Sequence, residues 1–159
     1  MKYYTGVGSR KTPMVILQIM RDLAVKLDKA GYVLRSGGAD GADSAFASGT
    51  GHAAIFRPSH VKPNSPAFDI AKAFHPAWER CSDYVRKLHA RNCFQVLGYD
   101  LVTPSDFLVC WTQDGACTHQ ERSIRTGGTG TAISIAHANN IPVFNLARPN
   151  HFERIVDFI

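Results

Sequence analysis

Two aspartates three residues apart, Asp40 and Asp43, sit in the stretch Ser36-Gly37-Gly38-Ala39-Asp40-Gly41-Ala42-Asp43. A carboxylate in this setting can accept hydrogen bonds from ribose hydroxyls, pair with an arginine, or act as a general base. One of the two can instead serve the positive end of a following helix. The glycines around them let the backbone bend and come close to a ligand. A second stretch, Gly6-Val7-Gly8-Ser9-Arg10, adds a hydroxyl and a planar guanidinium suited to phosphate or carboxylate. A third, Thr126-Gly127-Gly128-Thr129-Gly130-Thr131, adds backbone N–H groups and hydroxyls. Each stretch ends an apolar run and opens helix-forming sequence, so each aims free amides and a helix dipole at an anion. Three such turns in one small chain predict a single phosphate-bearing ligand.

Other residues are candidates to complete this site. Trp111, at the end of an apolar run, offers a face on which a base can stack. His89, Arg91 and Asn92 are denser in polar function than a covering helix needs. Glu121, Arg122 and Arg125 lie on the approach to the third glycine turn, and Glu121 is a third candidate catalytic carboxylate after Asp40 and Asp43. Several chemistries are disfavoured. No G-K-[ST] occurs, so this is not a Walker A loop, and Thr12-Pro13 interrupt the G-x-G-x-x-G dinucleotide fingerprint. Cys81, Cys93, Cys110 and Cys117 form no C-x-x-C pair, and His89 with Cys93 does not close a metal site. No metal and no cofactor are expected.

The elements that must position these residues follow from periodicity. Lys2–Val7 reads as a strand, and Val15, Ile16, Ile19, Met20, Leu23, Ala24 and Leu27 follow at helical spacing. Tyr32–Arg35 reads as a strand, a helix follows from about Asp40 to Ser48, and Ala53–Phe56 reads as a third strand. The pattern resumes with a strand at Asp106–Trp111, a helix at Gly130–Asn139, a strand at Ile141–Leu146 and a terminal helix at Asn150–Ile159. Between the two runs, residues 57–105 read as a helical insertion: a loop to Ser65, a short helix at Pro66–Phe74, and a longer one at Pro76–Gln95. This order predicts an α/β fold, with one doubly wound, mainly parallel sheet spanning residues 1–159 as a single nucleotide-binding domain.

Composition narrows the partners. The 159 residues are 45% hydrophobic with a formal net charge of +5, which fits a globular domain with anionic partners. The positive charge is spread along the chain rather than gathered in a block. No stretch reaches the length of a membrane span and no signal-peptide pattern opens the chain, so a cytoplasmic protein without membrane association is expected.

The three glycine turns resemble those of the SLOG superfamily, which joins the DprA/Smf DNA-processing proteins to the Lonely-Guy nucleotide phosphoribohydrolases. Gly8-Ser9-Arg10 and the Ser36–Asp43 block look closer to DprA, whose second block reads like S-G-G-A-x-G-I-D. The third turn looks closer to Lonely-Guy, whose motif reads P-G-G-x-G-T-x-x-E. The resemblance covers residues 1–56 and 106–147. His75-Pro76-Ala77-Trp78 and His89-Ala90-Arg91-Asn92 are similar to segments of small phage-encoded DprA-like proteins.

This resemblance implies a Rossmann-like fold that binds a nucleotide or nucleotide-derived ligand; a homo-oligomer is the expected assembly. The resemblance implies one reaction, cleavage of the N-glycosidic bond of a nucleoside monophosphate. The final glutamate of the Lonely-Guy motif is Ser134 here, so Asp40, Asp43 or Glu121 would have to replace it. The alternatives are DprA-like binding of single-stranded DNA, with Trp111 as a stacking platform, and non-catalytic sensing or sequestration of a nucleotide signal.

Overall fold

The structure, a computed structural model, describes residues 1–159. Five strands alternate with helices: β1 (Lys2–Gly6), α1 (Met14–Lys29), β2 (Tyr32–Ser36), α2 (Ala42–Ser48) and β3 (Ala53–Ile55) come first. After β3 come α3 (Ala67–Phe74) and α4 (Asp83–Leu97), then β4 (Phe107–Cys110), α5 (Thr129–Ala138), β5 (Val143–Asn145) and α6 (His151–Phe158). All strand pairs are parallel, in the order β3-β2-β1-β4-β5. This is a Rossmann-like, doubly wound α/β fold. No helix is long and apolar enough to cross a membrane.

Period-two alternation divides the core. Phe107 and Val109 of β4 face a cluster with Leu23, Leu27 and Ile155 from α1 and α6. Leu108 and Cys110 face the opposite cluster, with Phe94 of α4 and Ile133 of α5. Phe107 anchors the first face, with Tyr4, Tyr32, Phe144 and Phe158 all within 6 Å of its ring centroid. Because β4 is buried on both faces, its apolar run is continuous instead of alternating.

The winding direction reverses between β1 and β4. The connections after β1 and β2 place α1 and α2 on one face, and those after β3 and β4 place α4 and α5 on the other. At such a reversal the loops beyond the strands' C-terminal ends part and leave a crevice.

Two boundaries differ from the periodicity. The long helix expected from Pro76 begins at Asp83, because the Ser82 hydroxyl caps it by accepting the Val85 N–H at 3.2 Å. The preceding residues Trp78–Arg80 form a separate 3-10 turn, held when Arg86 folds back and donates to the Trp78 carbonyl at 3.0 Å. The second helix begins at Ala42, not Asp40, because Gly41 takes φ +83 and leaves Asp40 in the turn.

Candidate functional site

Glycine lets the three turns interlock. Gly8 has φ +45, and a Cβ there would lie 1.8 Å from Thr129 Oγ1, so the first turn touches the third. A Cβ at Gly41 would lie 2.9 Å from the Arg10 Cα and the Ser9 carbonyl, so the first also touches the second. The first turn is tied internally. The Thr12 hydroxyl donates to the Ser9 carbonyl at 2.7 Å and accepts the Ser9 N–H at 3.0 Å. The Ser9 hydroxyl accepts the Lys11 N–H at 3.0 Å, which leaves the Arg10 and Lys11 side chains free of this network. Ser9 therefore shapes its own turn and does not cap α1.

Asp43 lies in the first turn of α2, 6% exposed. Its Oδ2 accepts the Ala39 N–H at 3.1 Å, and the Gly8 amide and Ser36 hydroxyl lie beside it. Burial raises its carboxyl above the ordinary value, against the pull of the Ala39 amide and of Arg91. Arg91, also buried, donates from Nη1 to the carbonyls of Gly37 at 2.8 Å and Phe56 at 3.1 Å. Gln95 completes the clamp. With its amide oxygen turned toward them, it accepts Arg91 Nε–H and the Gly37 N–H, each at 3.2 Å. A Cβ at Gly37 would fall 2.5 Å from Arg91 Nη1.

The third turn presents backbone. The N–H groups of Gly127, Gly128 and Thr129 find no acceptor in the protein, and Thr129 opens the ten-residue α5. No atom lies within 4 Å of where a Cβ would stand on Gly127 or Gly128. Asp114 fixes the approach to this turn. It accepts from the Thr112 hydroxyl at 2.8 Å, the Ser123 hydroxyl at 2.7 Å, the Ala116 N–H at 3.2 Å, and the Thr126 hydroxyl. Burial pushes its carboxyl up, but these donors outweigh that and hold it at about 2. Asp114 is a structural residue of the site that the sequence alone did not single out. An Asp-Gly pair is common in turns, but nothing local points to its distant partners Ser123 and Thr126.

The turns enclose a cleft of ≈ 600 Å³ at the C-terminal edge of β1 and β4, a volume suited to one nucleotide-sized ligand. Arg10, Lys11, Arg91 and Arg125 bring positive charge to its wall, and Asp40 and Asp43 bring negative charge. Trp111 and Gln113 line it from the turn that follows β4, and Asn92 from α4. Gly8, Ser9, Gly127, Gly128 and Thr129 supply backbone. His89 also lines the cleft, with Nδ1 2.9 Å from Thr131 Oγ1. Burial, with His75, Arg122 and Arg91 nearby, depresses its pKa to about 4 and leaves it neutral near pH 7.

Other candidates lie behind or away from this cleft. Ser36 donates to the Gly6 carbonyl at 2.7 Å, and Gly38 sits under the Arg57 guanidinium. Gly130 makes room for Arg122, whose Nε would be 2.5 Å from a Cβ. Glu121 is outside the cleft, accepting the Cys117 N–H at 3.0 Å and pairing with Arg148 at 2.5 Å. These two donors lower its carboxyl below the ordinary range. Ser134, at the Lonely-Guy glutamate position, is fully buried and holds His119 and Arg122.

No protein-family model and no curated protein matches this chain. Among solved structures it is similar to DNA processing protein A from Helicobacter pylori, a structure described for a unique single-stranded DNA binding mode. The TM-score is 0.56 at 18% identity, over 99% of this chain and 72% of that one. At that identity the likeness establishes a shared DprA-like fold.

Proposed function

We propose that this chain binds single-stranded DNA, with one nucleotide of the strand seated in the cleft between the glycine turns. The observation that carries this reading is the convergence of three unpartnered amides, at Gly127, Gly128 and Thr129, with Arg10 and Arg125 in one cleft beside Trp111. Neither arginine takes part in an ion pair. Amides and guanidinium groups suit a backbone phosphate, and an indole suits any base because every base has a π face. The fold shared with a single-stranded DNA-binding protein supports the same reading.

The test is a titration of labelled oligothymidylate followed by anisotropy, with duplex DNA and thymidine monophosphate as competitors. Displacement by unlabelled single strands but not by duplex is expected. Equal preference for duplex, or no binding to either, would refute the proposal.

Asp43 favours a second reading, hydrolysis of a nucleoside 5′-monophosphate. A buried carboxyl with raised proton affinity on a cleft wall can act as a general acid. In that reaction water adds its oxygen to C1′ as the C1′–N bond breaks. The Asp43 proton passes to the leaving base, and the proton lost by water restores Asp43. Free base released from a monophosphate panel, and lost in Asp43→Asn, would support hydrolysis. No base from any substrate leaves binding alone.

A further inference from the structure

The C-terminal edge of the sheet continues past Arg91 to its margin at β3. Arg91 stands on the cleft wall and donates to the carbonyl of Phe56, the residue that follows β3. Phe56 in turn lines a second hollow of ≈ 470 Å³, so one hydrogen bond joins the walls of the two spaces. Phe56 and Tyr99 put aromatic surface on its wall beside Ala54 and Ile55. The rings of Phe56 and Tyr99 lie 14° from parallel with centroids 6.5 Å apart, and Tyr99 remains 53% exposed. Its rim is polar and basic, with Ser59, His60 and Lys62, and no carboxylate lines it. Arg57 lies at the junction, because a Cβ on Gly38 would be 2.9 Å from its Nη1. Arg57 and Lys62 make no ion pair.

Exposed aromatic surface interleaved with unpaired cations suits a nucleic-acid single strand, which needs a stacking face for each base and a cation for each phosphate. We infer that the hollow beside β3 is a second nucleotide subsite, taking the nucleotide next to the one in the main cleft. The base stacks on Tyr99 over Phe56, and Arg57 and Lys62 hold its phosphate. This inference rests on the single-strand reading of the cleft. It sets the direction in which the strand leaves that cleft, across the ends of β2 and β3.

The experiment titrates thymidine monophosphate and oligothymidylates of increasing length against wild type, Tyr99→Ala, Tyr99→Leu and Lys62→Ala. Wild-type affinity is expected to rise when the ligand grows beyond one nucleotide. Tyr99→Ala should leave monophosphate affinity unchanged and weaken the longer strand by about 5- to 150-fold, the range for one lost base stack. Tyr99 also packs on Phe94, with ring centroids 4.8 Å apart; Tyr99→Leu keeps that apolar cover and should lose the same increment, which separates stacking from folding. Lys62→Ala should reduce the salt slope for the longer strand by about 0.7. Long strands that bind Tyr99→Leu and Lys62→Ala as they bind wild type would overturn the subsite and leave the cleft reading intact. Wild type that binds no strand of any length would overturn both.

Discussion

Asp43 and His89 face one cleft, and burial shifts each toward its neutral form. For His89 the folded pKa is about 4 against an ordinary 6.5. As pH falls through that window the unfolded chain takes up a proton that the folded chain refuses, so stability is lost. His75, lowered by burial and by Arg122, acts in the same sense. Urea titrations at stepped pH should therefore show wild type weakening between about 6.5 and 4, and His89→Gln weakening less. Parallel losses in the two proteins would rule His89 out as a source. Asp43 has the opposite sign. Its raised carboxyl means that the unfolded chain ionises first as pH rises past the ordinary value, which costs native stability. Asp43→Asn should melt above wild type at neutral pH and match it in strong acid; a lower melting temperature at neutral pH would contradict this. The Arg10 side chain lines the cleft and makes no ion pair, which leaves it free for a phosphate of the proposed strand. Arg10→Ala should weaken oligonucleotide binding by roughly 1.5–3 kcal/mol, as for a charged hydrogen bond, with an unchanged melting temperature. Unchanged affinity by calorimetry would remove Arg10 from the site.

Among the connecting elements, the glycine turns separate structural need from ligand need. Gly8 is enclosed, with positive φ and Thr129 against its Cα, whereas Gly128 has φ −63 and open space around it. Gly8→Ala should cost roughly 1–3 kcal/mol of stability as an overpacked site. Gly128→Ala should change stability by no more than about 0.5 kcal/mol, yet weaken oligonucleotide binding about tenfold by crowding the free amides. If Gly128→Ala binds normally, the anion does not sit on that turn. These turns were legible in the sequence because glycine, aspartate and serine cluster where one element ends and the next begins. The strands were legible too, each within two residues at either end, since their apolar runs are short and bounded. The start of α4 was not, because Trp78, Cys81 and Val85 keep helical spacing across a break between the 3-10 turn and the helix that Ser82 caps. The role of Arg91 was hidden for a different reason. The sequence offered it as a phosphate contact, but its strongest partner is the Gly37 carbonyl, 54 residues away, and no local pattern encodes that distance.

For the whole molecule, the reversal of winding between β1 and β4 gathers residues from every part of the chain at one edge of the sheet. A formal charge of +5 spread along the sequence looks diffuse in one dimension, but folding brings part of it into register. Arg10, Lys11 and Arg125 border the main cleft, Arg57 stands at its end, and Lys62 lines the hollow beyond. None of these five cations is neutralised by an ion pair. This explains why the sequence showed no basic block even though the fold has a basic edge. Each cation that meets a backbone phosphate releases condensed counterions, at about 0.7 in the slope of log affinity against log salt for single strands. A strand long enough to meet all five should therefore show a slope near −3.5, and a monophosphate held in the cleft alone a slope near −1 or shallower. Exposed cations elsewhere on the chain should add little, because at moderate ionic strength charges separated by more than about 10 Å are screened. Titrations at stepped potassium chloride concentrations would measure both slopes. A steep slope shared by the long strand and the monophosphate would mean that salt acts on the fold and not on phosphate contacts. Shallow slopes for both would confine the ligand to the cleft and favour the free nucleotide over the strand.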